Sequence, residues 1–162
     1  MEDFVLDHKS EGLCESMIKR FVAQMVIALK FLKEKAIIHR DIKPKNILIH
    51  EDGVKISDFG VAKIINNHNS DQETTTFSGT IQFMSPQILR QEKYTFQTDV
   101  WSLGITIYFM IFSKVPWVNQ KVLGILKEIG EEVVIPEENI SPLLRDLLQK
   151  MLKVDESKRI TI

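Results

Sequence analysis

The sequence has little of what secreted, membrane-spanning or disulfide-stabilised proteins carry. Its single cysteine, Cys14, cannot form an internal disulfide. We therefore expect a reducing compartment, cytoplasmic or nuclear, and a buried or inert thiol. No apolar signal segment opens the chain, which argues against secretion. The uncharged and mostly apolar run 100–112 is well short of the roughly 20 residues that a membrane span needs, so it predicts a helix buried on all sides.

Neither sign of charge is in excess. The chain of 162 residues has 21 lysines and arginines against 22 aspartates and glutamates, which gives a net charge of −1. It therefore lacks the basic field of a nucleic-acid-binding protein, and any phosphate that it handles must be bound by local groups. Its 44% hydrophobic and 27% charged residues indicate one globular domain with a sizeable core.

Apolar periodicity predicts the helices. Apolar residues recur at helical spacing over 17–35 and again over 142–152, which is typical of amphipathic helices. The buried helix is predicted over about 99–112, beginning near Val100 with Thr98 and Asp99 as its cap.

Two short apolar runs, 47–49 and 54–56, predict a β-hairpin. The turn signal Glu51-Asp52-Gly53 separates them. The stretch 66–76, "NNHNSDQETTT", is polar and without periodicity, so it predicts a solvated loop. No internal repeat or linker divides the chain, so a single domain over 1–162 is predicted.

Charged and polar residues crowd between two apolar runs in "IIHRDIKPKNILI", residues 37–49. Asp58-Phe59-Gly60 follows shortly afterwards. A charged surface turn is the plain alternative for the first stretch, and Asp-Phe-Gly alone is a common tripeptide. The two stretches together are a far more specific signal than either one alone. They combine His39-Arg40-Asp41, Lys43, Asn46 and Asp58 in one order and at one set of spacings.

These residues resemble the catalytic loop and the magnesium loop of eukaryotic protein kinases. The resemblance continues through Gly79-Thr80, 85–87, 99–104 and 155–161. It implies the C-terminal lobe of a serine/threonine protein kinase, mainly α with short β-hairpins. It places a catalytic loop at 39–46, an activation segment at 58–87 and the buried helix at about 99–112. Lys43-Pro44 and Gly79-Thr80 favour the serine/threonine class.

The resemblance implies an enzyme that moves the γ-phosphoryl group of ATP to a protein serine or threonine, with Mg²⁺ as cofactor. Asp41 would accept the proton of the acceptor hydroxyl, and Lys43 would contact the transferred phosphate. Asn46 and Asp58 would bind the nucleotide through Mg²⁺, which prefers hard oxygen ligands. Leu48 would lie beneath the adenine ring, or is simply a strand core residue.

Further residues have implied supporting roles. Thr80 would bond Asp41 and Lys43, although an ordinary turn threonine is the alternative. Asp99 would bond the backbone of the catalytic loop, and as a helix cap it would look the same from sequence. His39 and Phe59 are expected to be structural.

Arg40, beside the catalytic aspartate, implies regulation by a phosphate on the activation segment, because its guanidinium is a planar fork suited to phosphate. Thr76 is the expected phosphorylation site of an upstream kinase, with Thr74, Thr75 and Ser78 as competitors. A solvated polar loop without regulation is the alternative.

The sequence departs from the kinase pattern in three ways. It has no glycine-rich loop, strand lysine or helix glutamate before His39, and it stops at Thr161-Ile162, where the family continues through a final helix, so we expect a chain truncated at both ends. Gln87 stands where the family has a glutamate that pairs with the arginine matched by Arg159, so Gln87→Glu should stabilise the protein. Phe109 stands where many basic-directed kinases carry a glutamate, which argues against assuming arginine-rich targets.

These departures leave two alternatives to a protein kinase. One is a non-catalytic, pseudokinase-like interaction module. The other is a small-molecule kinase, which 80–86 disfavours because it resembles a peptide-binding segment.

Overall fold

The computed structural model of the chain describes residues 1–8, 13–51, 53–65 and 80–162. Among them, helices predominate over short antiparallel strands, so the predicted fold class, mainly α with short β-hairpins, is confirmed. The helices are α1 (Glu2–Asp7), α2 (Glu15–Glu34), α3 (Pro86–Leu89), α4 (Gln97–Phe112), α5 (Val122–Ile129) and α6 (Pro142–Met151). The strands are β1 (Ile37–Ile38), β2 (Ile47–His50), β3 (Gly53–Ile56) and β4 (Lys63–Ile64).

Helix α4 is the centre of the core. Every residue from 98 to 108 is buried, and Asp99 is the one charged residue in this range, as expected for a helix that is apolar on all sides. The helix predicted over about 99–112 starts two residues earlier, but the predicted cap at Thr98 and Asp99 is wrong. It begins at Gln97, and its N-cap Phe96 makes no side-chain hydrogen bond. Asp99 lies in the first turn and is used for another purpose, described below. No helix among the described residues is both long and apolar enough to cross a membrane.

Helices α2 and α6 pack their apolar stripes against α4. The prediction for each is confirmed to within two residues at either end. Helix α6 begins with Ser141, whose hydroxyl accepts a hydrogen bond from the Leu144 amide, and Pro142 occupies its first turn, a favoured start for a helix. The α2 stripe buries Ile18, Phe21, Val22, Met25, Leu29 and Leu32.

The hairpin predicted over 47–56 is confirmed. Strands β2 and β3 are antiparallel, with Ile47 opposite Ile56 and His50 opposite Gly53. Gly53 has φ +138°, a conformation that side chains disfavour. A second pair, β1 with β4, was not predicted. Because β1 pairs with β4, the segment between β3 and β4 lies beside the charged loop (39–46), which connects β1 to β2.

The expected burial of Cys14 is wrong. This residue is exposed at the N-cap of α2. Its Sγ atom lies 3.1 Å from the hydroxyl oxygen of Ser16. Hydrogen bonding to Ser16 lowers the pKa of the thiol below its ordinary value.

Candidate active site

The charged loop is anchored from below by Asp99. Its Oδ2 atom accepts a hydrogen bond from the main-chain amide of His39 at 2.8 Å, and Oδ1 accepts one from that of Arg40 at 2.9 Å. Burial raises the pKa of Asp99 to about 6, against the lowering effect of these two donors. The two bonds hold Arg40 at φ +68°, so the contact implied for Asp99 is present.

His39 joins the charged loop to the segment that follows β3. Its ring is fully buried, with Nε2 3.1 Å from the Ser57 carbonyl oxygen. Nδ1 accepts a hydrogen bond from the Asp41 amide at 3.3 Å, and the ring packs edge-on against Phe59 with 4.8 Å between centroids. Burial lowers the pKa of His39. The buried ring therefore links the charged loop to the segment that follows β3. The structural roles expected for His39 and Phe59 stay predictions.

Asp41, Lys43 and Asn46 form one bonded cluster. The carboxylate oxygen Oδ2 of Asp41 accepts from Lys43 Nζ at 2.7 Å and from Asn46 Nδ2 at 2.8 Å. Asn46 Nδ2 also donates to the Asp41 main-chain oxygen at 3.0 Å. The Asp41 and Lys43 side chains are only 10% and 14% exposed. The carboxylate is thus fixed in orientation, while its Oδ1 atom takes no part in these bonds.

Hydrogen bonds of Ser57 to Asn46 bring the next residue, Asp58, close to this cluster. The amide and the hydroxyl of Ser57 both donate to the Asn46 carbonyl oxygen, at 2.9 and 3.0 Å. Asn46 and Asp58 are therefore at the same end of the hairpin. Asp58 has φ +63° and an exposed carboxylate, whose Oδ1 accepts from the Gly60 amide at 3.2 Å. Sequence reasoning missed the role of Ser57. The available signal was its position directly before Asp58-Phe59-Gly60.

The donor atoms at Asn46 and Asp58 fit Mg²⁺. Both Asn46 hydrogen bonds use the amide nitrogen, so the amide oxygen is not engaged in them. The Asp58 carboxylate supplies a second hard oxygen. Among the described residues, no group of three or more His, Cys, Asp and Glu could hold a metal ion. Two protein oxygens suit Mg²⁺, which takes its other ligands from water and substrate phosphates.

Thr80 lies near the cluster without the expected hydrogen bonds, and the role expected for Leu48 is not tested by its contacts. Thr80 lines a cavity together with Lys43. Between the described residues, however, its hydroxyl makes no hydrogen bond to Asp41 or Lys43, so that implied contact is absent. Lys43 is bonded directly to Asp41 instead. Leu48 is 55% exposed on the hairpin, so its expected contact with adenine stays a prediction.

The guanidinium of Arg40 is bonded within the protein. Its Nε donates to the Val61 carbonyl oxygen at 2.6 Å, and Nη1 to the Tyr94 hydroxyl at 3.3 Å. Thr76 and its competitors 74, 75 and 78 lie outside the described residues. The expected phosphate contact of Arg40 therefore stays a prediction.

Gln87 and Arg159 meet in the core through neutral acceptors. Arg159 Nη2 donates to Gln87 Oε1 at 3.0 Å, and Gln87 Nε2 donates to the Val154 carbonyl oxygen at 2.9 Å. The guanidinium also bonds the carbonyl oxygens of Lys153 and Gln97, both at 2.9 Å. Its buried charge is thus bound by dipoles, and desolvation lowers the Arg159 pKa to about 10.

Comparison with known proteins identifies the family of the chain. A sequence model described as protein kinase domain matches residues 2–162. The chain is 36% identical over 148 residues to 3-phosphoinositide-dependent protein kinase 1 of Homo sapiens, covering 90% of this chain and 26% of that protein. It is 33% identical over 162 residues to serine/threonine-protein kinase atg1 of Dictyostelium discoideum, covering 98% of this chain and 24% of that protein.

A third relative is Aurora kinase of Dictyostelium discoideum, 34% identical over 149 residues, with 91% of this chain and 38% of that protein covered. The chain therefore spans from 24% to 38% of the length of these relatives. The match extends over almost the whole chain and over all described site residues. The chain belongs to the protein kinase domain family, within the eukaryotic protein kinase superfamily.

Proposed function

We propose that the protein is a serine/threonine protein kinase, which transfers the γ-phosphoryl group of ATP to serine or threonine hydroxyls of other proteins. The observation that carries this proposal is the sharing of Asp41 Oδ2 between Lys43 and Asn46, at 2.7 and 2.8 Å. Phosphoryl transfer has a loose transition state, so catalysis requires alignment and charge neutralisation rather than covalent chemistry. A carboxylate with a fixed orientation beside a cation meets that requirement.

In this proposal, Asp41 accepts a hydrogen bond from the substrate hydroxyl and aims its oxygen at phosphorus. Its second oxygen, Oδ1, is the available acceptor. Lys43 contacts the transferred phosphate. Asn46 and Asp58 would hold Mg²⁺, which when bound neutralises charge on the phosphate oxygens. Leu48 would contact the adenine ring from its exposed position on β2.

The serine/threonine assignment rests on Lys43-Pro44 and on Thr80. It also rests on the similarity to relatives such as the serine/threonine-protein kinase atg1. Thr80 is the N-cap of the short 3₁₀ helix Ile81–Phe83 and shares a cavity with Lys43. In the proposed enzyme it would help to position the acceptor residue.

Regulation by phosphorylation is part of the same proposal. An upstream kinase would phosphorylate Thr76, and the phosphate would draw the Arg40 guanidinium from its bonds to Val61 and Tyr94. Mass spectrometry of the protein from its own cells should find phosphate on the segment 74–78. A segment that is always unmodified would contradict this part of the proposal.

A non-catalytic interaction module is the second candidate. It is favoured by the exposed apolar side chains of Leu48 and Phe59, which are 55% and 48% exposed. Large apolar side chains in water often mark a surface that binds a partner.

Phosphotransfer to protein separates the two candidates. The protein is purified from its own cells and incubated with Mg²⁺, γ-labelled ATP and a mixture of acceptor proteins. We expect label on serine and threonine, and a loss of about 100-fold or more in Asp41→Asn. Asp146→Asn is the matched control, because Asp146 forms an exposed ion pair with Lys150 on α6. Equal labelling by Asp41→Asn, or no labelling by the unmodified protein, would contradict the kinase proposal.

A further inference from the structure

The outward side of α2 carries a strip of exposed residues along the helix, namely Arg20, Ala23, Ile27, Phe31 and Lys35. From Ala23 to Lys35 they follow one another at every fourth position, and Arg20 precedes Ile27 by seven. Residues at these spacings lie on one side of a helix. We call this surface the α2 outer strip. It is about 22 Å long, because a helix rises roughly 1.5 Å per residue.

The middle of the α2 outer strip is apolar. Ile27 is 68% exposed and Phe31 is 55% exposed, and the two side chains lie on adjacent turns. Single exposed apolar residues are ordinary on a protein surface, whereas contiguous ones often mark a binding surface. Lysine or glutamate would favour an exposed helix position more than isoleucine or phenylalanine does. The packing of the described residues uses little of this apolar surface, and contact with a partner would use it.

The ends of the α2 outer strip are positively charged. Arg20 lies at one end and Lys35 at the other, and Lys30 is exposed beside the strip. Within the part of the chain that the structure describes, none of these three side chains forms an ion pair. Lys35 Nζ is 5.7 Å from the centroid of the Phe31 ring, so a group packed on that ring lies close to a cation. Glu34 is the only exposed acidic residue of α2.

The partner that complements this surface is a helix with acidic ends. A helix face has no free main-chain donors and acceptors, so a strand cannot add to it, whereas a second helix can pack against its side chains. Ile27 and Phe31 match apolar residues at three- and four-residue spacing, and the cations match carboxylates about two turns away on either side. A membrane surface fits less well, because an interfacial helix needs a broad apolar face, and that face of α2 is buried in the core.

We propose that the α2 outer strip is a docking site for a helical segment of a partner protein. The segment carries large apolar residues at its centre and aspartate or glutamate at both ends. This inference goes beyond the proposed function and does not depend on it, since it uses no residue of the charged loop or of Asp58-Phe59-Gly60. It assigns the exposed side of α2 a role in binding, while the buried side holds the core together.

Selection from a displayed peptide library tests the proposal. The library consists of helical peptides of about 18 residues, long enough to span the strip, with random residues at their exposed positions. It is first depleted on the double variant Ile27→Glu, Phe31→Glu, and the remaining peptides are selected on the 162-residue chain. We expect enrichment of peptides with apolar residues in the middle, at three- and four-residue spacing, and acidic residues at both ends. Enrichment of basic peptides, or of none, would overturn the proposal.

Single variants then locate the contact, with the binding of one selected peptide followed by fluorescence anisotropy. Phe31→Ala should weaken binding about tenfold, as for an aromatic anchor at an interface. Leu123→Ala truncates an exposed side chain of α5 and should leave binding unchanged. Arg20→Glu should also weaken binding about tenfold, and lysine in place of the acidic residues at one end of the peptide should restore it. Lys127→Glu makes the same charge change on α5 and is the control.

The outcomes separate the docking site from its alternatives. All substituted side chains are exposed, so the variants should unfold at nearly the same temperature as the unmodified chain. A peptide that binds Phe31→Ala and Arg20→Glu as tightly as the unmodified chain would overturn the proposal. Sedimentation of the chain with phosphatidylserine vesicles, lost in Phe31→Ala, would show a membrane site instead and would also overturn it. A failure of the kinase proposal would leave these expected results unchanged.

Discussion

Replacement of Gln87 by glutamate tests the account of the buried Arg159. In the structure, Gln87 Oε1 accepts from Arg159 Nη2 at 3.0 Å, and Arg159 is 3% exposed. A carboxylate at this distance would attract the guanidinium by roughly 5 kcal/mol at an effective dielectric constant of about 20. The guanidinium is already desolvated in the native protein, so the substitution desolvates only one further charged group, the new carboxylate.

Two costs oppose the gain. Desolvation of the carboxylate costs several kcal/mol. The hydrogen bond from Gln87 Nε2 to the Val154 carbonyl oxygen is also lost, which costs about 1 kcal/mol. We therefore expect Gln87→Glu to stabilise the protein by about 1 kcal/mol, which raises the melting temperature by roughly 3 °C in a domain of this size.

Thermal and urea unfolding at pH 7.5 measure this effect, with Gln87→Met as the matched control. Methionine keeps the length of the side chain and removes the acceptor, so it should destabilise the protein by about 2 kcal/mol. Beside Arg159, the pKa of the new carboxyl would lie below its ordinary value. The added stability should therefore be present at neutral pH and be lost as the pH falls through that pKa. An unchanged or lower melting temperature of Gln87→Glu at pH 7.5 would refute the reasoning.

Three further predictions concern the anchor of the charged loop, the core and the nucleotide. Burial raises the pKa of Asp99 from 3.8 to about 6, so its carboxyl should lower stability by roughly 3 kcal/mol as the pH rises through this interval. Urea unfolding of Asp99→Asn from pH 4 to 7 should lack that fall, and an unchanged slope would contradict the assignment. Gly104→Ala would bring a Cβ atom to 2.8 Å from Leu152 Cδ2 and 3.2 Å from Met151 Cβ; we expect a loss of about 1 to 3 kcal/mol by urea unfolding, and no loss would show that α6 moves freely. Mg²⁺ and ATP should shift the melting temperature of the 162-residue chain only at high nucleotide concentration, because its proposed polar ligands reach the phosphates alone; micromolar affinity would contradict this.

The regular elements with a clear period could be predicted from the sequence. The stripes of α2 and α6 contact one core, and Ser141-Pro142 fixes the start of α6. The pair β1–β4 could not be predicted, because two-residue strands have no period to recognise. The cap of α4 could not be predicted, because Asp99 has the chemistry of a cap but uses both carboxylate oxygens for the charged loop.

The site was predictable where its polar residues are close in sequence. Asp41, Lys43 and Asn46 lie within six residues and bond directly. The contacts of Arg159 were not predictable, because most of its partners are main-chain carbonyl oxygens, which every residue has. The contacts of Thr80 were not predictable either, because its neighbours in the cavity are distant in sequence.

The convergence of the charged loop and Asp58 on one metal-bound nucleotide is the central claim. Paramagnetic broadening tests it most directly, with Mn²⁺ and ADP titrated into the isotopically labelled 162-residue chain. The Asn46 side-chain amide signal and the Asp58 main-chain signal should broaden together, and Asp58→Asn should weaken the broadening of Asn46. Broadening of one of these signals without the other, or an Asn46 response unchanged in Asp58→Asn, would contradict the claim.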